Sequence, residues 1–189
     1  MRPMICVLLS WLLLCAGARA GDWPGDSLYH LQARLSDQQQ RDFVLADLHD
    51  RPALVAMFYT SCQYICPLMI EGIQQAEKSL DPAQRDRLQI VMVSFDPAHD
   101  DTAALARTAT DKHLDPARWR LARTDPGNVR QLAALLGVRY RELAGGGFNH
   151  TGDVVLLDGS GRAIARTAAI GAAKDATFMS TLRAALSHD

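Results

Sequence analysis

A chain of 189 residues carrying 20 lysines and arginines against 21 aspartates and glutamates is almost neutral, with a formal charge of −1. Its arginines are scattered among acids rather than gathered in a stripe, which argues against a nucleic-acid surface and strong electrostatic binding to membranes. Nearly half of the residues, 48%, are hydrophobic, and the length suits one globular domain with its own core.

The chain opens with Arg2, an apolar stretch from Ile5 to Ala16, and Ala18-Arg19-Ala20 ahead of Gly21. A basic start, an apolar core too short for an ordinary membrane span and a small-x-small cleavage site are the three parts of a secretory signal peptide. Residues 1–20 are therefore expected to be removed and residues 21–189 to form the exported domain. An uncleaved anchor is the competing reading. A lipoprotein modified at Cys15 is disfavoured because Leu14 stands where a small residue is expected. The segment is also neither amphipathic nor Arg-rich, as a mitochondrial transit peptide would be. Cleavage removes Cys6 and Cys15 and leaves Cys62 and Cys66 as the cysteines of the exported chain. A purely structural bridge between them would close a small loop and restrict the unfolded chain little, and a chain of this length forms a core without staples.

Gly21 to Ser27 reads as a leader, and the alternation from Leu28 to Leu35 as a weak strand. Ser36 to Gln40 is a turn candidate, with a second strand or short helical turn between Asp42 and Leu48. The apolar run Ala53 to Tyr59 predicts a buried strand. From Pro67, the positions Leu68, Ile70, Ile73, Ala76 and Leu80 keep helical spacing as far as Asp81-Pro82. Leu88 to Phe95 predicts a strand covered on both faces. A helix follows over Thr102 to His113, capped by Asp101, then a short strand over Arg118 to Ala122. Asn128 to Leu136 reads as a helix stopped by Gly137. The glycines Gly145 to Gly147 predict a flexible loop before the strand Asp153 to Leu157, the turn Asp158 to Gly161 and the returning strand Ala163 to Thr167. A last helix runs from Lys174 to Leu186.

Strands alternating with helices, then a hairpin and a final helix, predict an α/β domain. The expected architecture is a central mixed sheet flanked by helices, with an N-terminal strand extension. Cys62 and Cys66 sit where the first confident strand hands over to a helix, a setting that points to a thioredoxin-like fold. Positions i and i+4 share one helical face, so the two sulfurs can meet. A helix N-terminus also lowers thiol pKa, so both thiols are expected to be poised as thiolates. Such a pair captures a soft metal or performs dithiol redox chemistry.

His150 lies between the glycine loop and the last strand pair, a location that faces the cysteine turn in a thioredoxin-like layout. Thioredoxin-type oxidoreductases resemble one another in a cis-proline there, whereas this chain reads Asn149-His150-Thr151-Gly152. Two thiolates and an imidazole suit Cu(I), and Cu(II) with a further ligand. Structural zinc normally closes with four protein ligands. A hydrogen-bonded histidine with no ligand role is the plain alternative. His30, His49, His113 and His188 lie in no ligand-like cluster, while His99 is an accessory-ligand candidate in the loop after Asp96. Met57, Met69 and Met92 fall on apolar runs and read as core.

Three blocks in order resemble the Sco/SenC family of thioredoxin-like copper-binding proteins of cytochrome c oxidase assembly. They are Phe58-Tyr59-Thr60-Ser61-Cys62 to Cys66-Pro67, Val93-Ser94-Phe95-Asp96-Pro97 with Asp101-Thr102, and Gly137-Val138 through Phe148-Asn149-His150-Thr151 to Leu157-Asp158-Gly159-Ser160-Gly161. The resemblance implies copper bound by Cys62, Cys66 and His150, with Asp96 near the site. It also implies a periplasmic protein whose partner is the CuA domain of cytochrome c oxidase subunit II, or another periplasmic copper protein. A thioredoxin-like reductant would keep the thiols reduced. Gln63-Tyr64 departs from the Pro-Asp that many members carry after the first cysteine. Two functions follow: a copper metallochaperone for CuA assembly, or a thiol–disulfide oxidoreductase in which Cys62 attacks and Cys66 resolves. A copper- or redox-responsive sensor is a third, and it requires a further partner.

Overall fold

The computed structural model describes residues 22–144 and 147–187. Residues 1–21, which include the segment expected to be a signal peptide, Gly145-Gly146 and His188-Asp189 lie outside the described residues.

The long apolar runs become the middle of the sheet. Strands β3 (Ala53–Phe58) and β4 (Gln89–Ser94) are buried at every position and pair in parallel from Ala53↔Gln89 to Phe58↔Ser94. Such continuous burial requires cover on both faces, as the unbroken hydrophobicity predicted. Strand β5 (Trp119–Arg123) adds in parallel beyond β4. On the other side, β8 (Asp153–Leu157) and β9 (Ala163–Ala168) form an antiparallel pair, with β8 against β3. The N-terminal strands β1 (Leu35–Asp37) and β2 (Asp42–Phe43) extend the sheet past β5. The seven-stranded order is β2-β1-β5-β4-β3-β8-β9, a mixed sheet.

Among the described residues, five helices flank it: α1 (Ile65–Lys78), α2 (Pro82–Arg87), α3 (Thr102–Asp111), α4 (Pro126–Leu135) and α5 (Ala176–Ser187). Their starts follow local chemistry. Asp81, Asp101 and Asp125 each cap a helix by accepting a backbone N–H, from Gln84, Ala104 and Asn128 respectively. Pro82 and Pro126 occupy first-turn positions, where no N–H is needed. Gly137, at φ +61°, ends α4 in the left-handed conformation that glycine adopts most easily.

Two expectations change. Leu28 to Leu35 is not one strand: Leu28–His30 forms a 3₁₀ turn in which the consecutive residues Leu28 and Tyr29 are both buried. Ser27 accepts the Tyr29 N–H at 3.1 Å, and Leu28 N–H reaches the Gly161 carbonyl at 2.8 Å, so cap and hairpin outweigh the alternation. Helix α1 begins at Ile65 rather than Pro67. Pro67 is its third residue, still within the turn that lacks intrahelical acceptors, and Cys66 is thereby drawn into the helix.

The β1–β2 turn is organised by Asp37, which is 1% exposed. Its carboxylate accepts Gln39 N–H at 2.8 Å, Arg41 N–H at 3.0 Å and Arg41 Nε–H at 2.8 Å. Burial pushes its pKa up, but the hydrogen bonds and charge of Arg41, with the Gln39 amide, bring it below the ordinary 3.8. The charged form therefore stabilises the fold above the ordinary pKa, and that contribution is lost as pH falls through the lowered value. Asp37→Asn is expected to cost about 1–3 kcal/mol at neutral pH. Urea denaturation should show the gap from the parent narrowing below about pH 4. A gap independent of pH would contradict this role.

Candidate metal centre

At the end of β3 the chain turns through Thr60-Ser61-Cys62 into α1. Asp100, 0% exposed, holds this turn. Its carboxylate accepts Thr60 N–H at 3.0 Å, Thr60 Oγ1–H at 2.5 Å and Ser94 Oγ–H at 2.5 Å, joining the ends of β3 and β4. Cys62 N–H donates to Tyr59 O at 3.4 Å, and Cys66 N–H donates to Cys62 Sγ at 3.3 Å. Both cysteines are free thiols, 8% and 2% exposed.

The imidazole arrives on a second element. Strand β6 (Tyr140–Glu142) and β7 (Phe148–His150) form a separate antiparallel ribbon, with Tyr140 opposite His150. His150 thus sits in a strand of its own rather than at the head of β8. Tyr59 accepts the Phe148 N–H at 3.4 Å on its hydroxyl. Phe95 lies 4.9 Å from the His150 ring, 5.1 Å from Phe148 and 5.3 Å from Tyr140, between centroids. This aromatic packing presses the ribbon onto the cysteine turn.

His150 Nε2 lies 3.6 Å from Cys66 Sγ, while Nδ1 lies 3.0 Å from the Thr151 carbonyl. A carbonyl only accepts, so Nδ1 carries the proton and Nε2 turns its lone pair toward the sulfurs. Ligand atoms of Cys62, Cys66 and His150 all lie within 4.8 Å of one another. With metal–donor bonds of about 2.0–2.3 Å, donors sharing one ion stand at most about 4.6 Å apart, so small adjustments close the site. The donor set, its spacing and the histidine tautomer fit a soft metal ion.

The thiols are not equally poised. For Cys62, burial opposes ionisation, but N–H groups of Cys66, Tyr64 and Ile65 and the Cys66 thiol outweigh it and lower the pKa. For Cys66, burial dominates, and the Cys62 sulfur and Asp100 charge push the same way, so its pKa is raised. The expectation of two poised thiolates is thereby corrected: depth in the core overrides the helix N-terminus for Cys66. Burial first, and then the Cys62 sulfur, likewise hold the Tyr59 phenol above its usual value.

Asp96 and His99 stay outside the cluster and pair with each other at 2.9 Å. The Asp96 hydrogen bond and charge raise the pKa of His99, which is exposed. Met69 is buried, as expected for core. Two contributors escape a reading by residue type alone: Asp100, and the hydroxyl of Tyr59. The ribbon itself, two strands of three residues each, left no periodic signal to find it by.

Fold and centre define a thioredoxin-like protein carrying a dithiol–imidazole cluster. The SCO1/SenC family model matches residues 26–186, and the chain belongs to that family. A Stutzerimonas stutzeri protein named for copper binding is 30% identical over 69 residues, 36% of this chain and 34% of that protein. The match therefore spans about a third of that relative's length. Among solved structures, ScoI of Bradyrhizobium japonicum with copper bound shares 21% identity at a TM-score of 0.63, covering 76% of this chain and 94% of that one. A SCO1/SenC family lipoprotein from Bacillus anthracis shares 18% at a TM-score of 0.70, covering 80% and 89%. BsSco, a member of the Sco family of cytochrome c oxidase assembly proteins with a disulfide switch, shares 18% at 0.71, covering 82% and 92%. At these identities the likeness is one of fold.

Proposed function

We propose that residues 21–189 form an exported, periplasmic copper carrier of cytochrome c oxidase assembly. The carrier holds one copper ion through Cys62, Cys66 and His150 and passes it to the CuA domain of oxidase subunit II. The observation that carries this reading is the convergence of two thiols and a correctly protonated imidazole within 4.8 Å. Copper is the cargo. Loading requires both thiols reduced, and binding displaces the Cys66 proton that burial otherwise retains. A thioredoxin-like reductant supplies the electrons that keep the pair open. Release proceeds by ligand exchange, with the acceptor's soft ligands entering as these three leave.

Titrating the reduced exported chain with Cu(I) under a competing chelator should give one ion per protein. Cys62→Ser or Cys66→Ser should abolish stoichiometric uptake. His150→Ala should weaken it by at least about 100-fold, since even the loss of a supporting partner behind a ligand costs about 10–100-fold. Uptake that is substoichiometric in the parent, or unchanged by His150→Ala, rejects the copper site.

The split in thiol pKa favours a second activity at the same residues. Cys62, the more acidic thiol, suits attack on a substrate disulfide, and Cys66 suits resolution of the mixed disulfide. The two cysteines end oxidised and the substrate becomes a dithiol. Rapid turnover with a disulfide substrate, indifferent to copper and to His150→Ala, would favour this oxidoreductase over the carrier.

A further inference from the structure

Tyr59, the residue that follows β3, reaches every ligand of the centre. Its backbone serves the thiols: the carbonyl accepts Cys62 N–H at 3.4 Å, and the N–H donates to the Cys66 sulfur. Its side chain serves the imidazole arm. The ring meets those of Phe148 and His150 edge-on, with centroids 5.3 and 5.9 Å away. The hydroxyl oxygen accepts Phe148 N–H at 3.4 Å. A phenylalanine would fill the same space. Because Tyr59 is only 8% exposed, a hydroxyl here costs desolvation unless a hydrogen bond offsets it.

Strand pairing explains why Phe148 needs that acceptor. The ribbon's inner hydrogen bonds join alternate residues, from Leu143 N–H to Gly147 O at 3.0 Å and from Thr151 N–H to Arg139 O at 2.9 Å. Phe148 and His150 stand between these, opposite Glu142 and Tyr140, as non-hydrogen-bonded pairs. Phe148 N–H therefore points off the outer edge of β7, toward Tyr59. Among the described residues, this is the one hydrogen bond from β6 or β7 to the main sheet or the cysteine turn, apart from the His150–Cys66 contact. Gly147 makes room for the approach, since a Cβ there would stand 3.2 Å from the Tyr59 oxygen.

We infer that the Tyr59 hydroxyl is a positioning group for the centre: it fastens β7 to the end of β3 and holds His150 over the thiols before any metal arrives. Packing on Phe95 brings the ribbon near, and the directional bond to Phe148 sets where its edge stands. An imidazole held this way loses less freedom when it takes up an ion, so affinity rises through pre-organisation and not through a further ligand. The consequence for metal binding rests on the carrier reading, whereas the fastening itself belongs to the metal-free chain.

Amide hydrogen exchange of the reduced, metal-free exported chain, followed by NMR, tests the fastening. In Tyr59→Phe the Phe148 amide should exchange about tenfold faster, the effect of losing one hydrogen bond. Val55 and Val91, paired in the core strands, should keep the parent's rates. Cu(I) affinity should fall about three- to tenfold, with one ion still bound. That fall should vanish in a His150→Ala background, because the hydroxyl acts through the imidazole. Unchanged Phe148 exchange, or an equal fall in affinity with and without His150, overturns the positioning role. Faster exchange throughout the sheet also overturns it, because the hydroxyl would then support the whole fold. Faster exchange confined to the ribbon, in a chain that takes up no copper, keeps the fastening and rejects the carrier.

Discussion

Replacing Gly72 with alanine should destabilise the protein by several kcal/mol. Gly72 lies mid-way along α1, where a Cβ would collide with the Ala169 carbonyl oxygen and meet Ile170 Cα at 2.9 Å. These are backbone atoms of the 3₁₀ segment Ala169–Lys174, which packs along α1, so no side chain can swing aside. Alanine within a helix is favoured over glycine by about 1 kcal/mol. Overpacking commonly costs about 1–3 kcal/mol and more where the backbone itself must move. The steric term therefore wins. The consequence reaches the centre, because Ala169 N–H is tied to the Gly152 carbonyl at 2.8 Å, two residues beyond His150. Urea unfolding followed by circular dichroism should show a midpoint well below the parent's. A Gly72→Ala protein as stable as the parent would mean that α1 and the 3₁₀ segment separate easily.

Asp100→Ala should have a comparable effect on stability and a direct one on the centre. It strips the acceptor from Thr60 N–H, Thr60 Oγ1–H and Ser94 Oγ–H in a place where Asp100 is 0% exposed. Each buried donor left unpaired costs about 1–3 kcal/mol, and the sum is moderated by relaxation and by water entering the gap. A loss of about 3–5 kcal/mol is expected, a large share of the stability of a domain that holds about 5–15 kcal/mol. Thr60 precedes Cys62 by two residues, so Cu(I) affinity should fall even at temperatures where the variant is folded. Asp100→Asn separates packing from chemistry: it keeps the volume but offers one acceptor oxygen, and should lie between parent and alanine in both measurements. Copper affinity equal to the parent's in folded Asp100→Ala would show that the cysteine turn holds its shape without the carboxylate.

The centre of the sheet was legible because long apolar runs leave little choice. Ala53 to Tyr59 and Leu88 to Phe95 are buried throughout, and only a strand covered on both faces accommodates them. Asp101, the hairpin at Asp158 to Gly161 and the stop at Gly137 were legible because their local chemistry acts within a few residues. Leu28 to Leu35 was misread because the Gly161 carbonyl that binds Leu28 is remote in sequence. The ribbon β6–β7 was missed because each strand has three residues, too short for periodicity to register.

For the Cys62–Cys66 turn, the sequence alone determined the residue types, their four-position spacing and their place between a buried strand and a helix. Those are local properties, carried by apolar runs and i,i+4 geometry. Only the tertiary structure decided that His150 reaches the sulfurs with Nε2 foremost. It also decided that Cys62 is acidified while Cys66 is not. Burial and contacts across 84 positions of chain set those properties, and no spacing along the sequence encodes how deep an atom will lie.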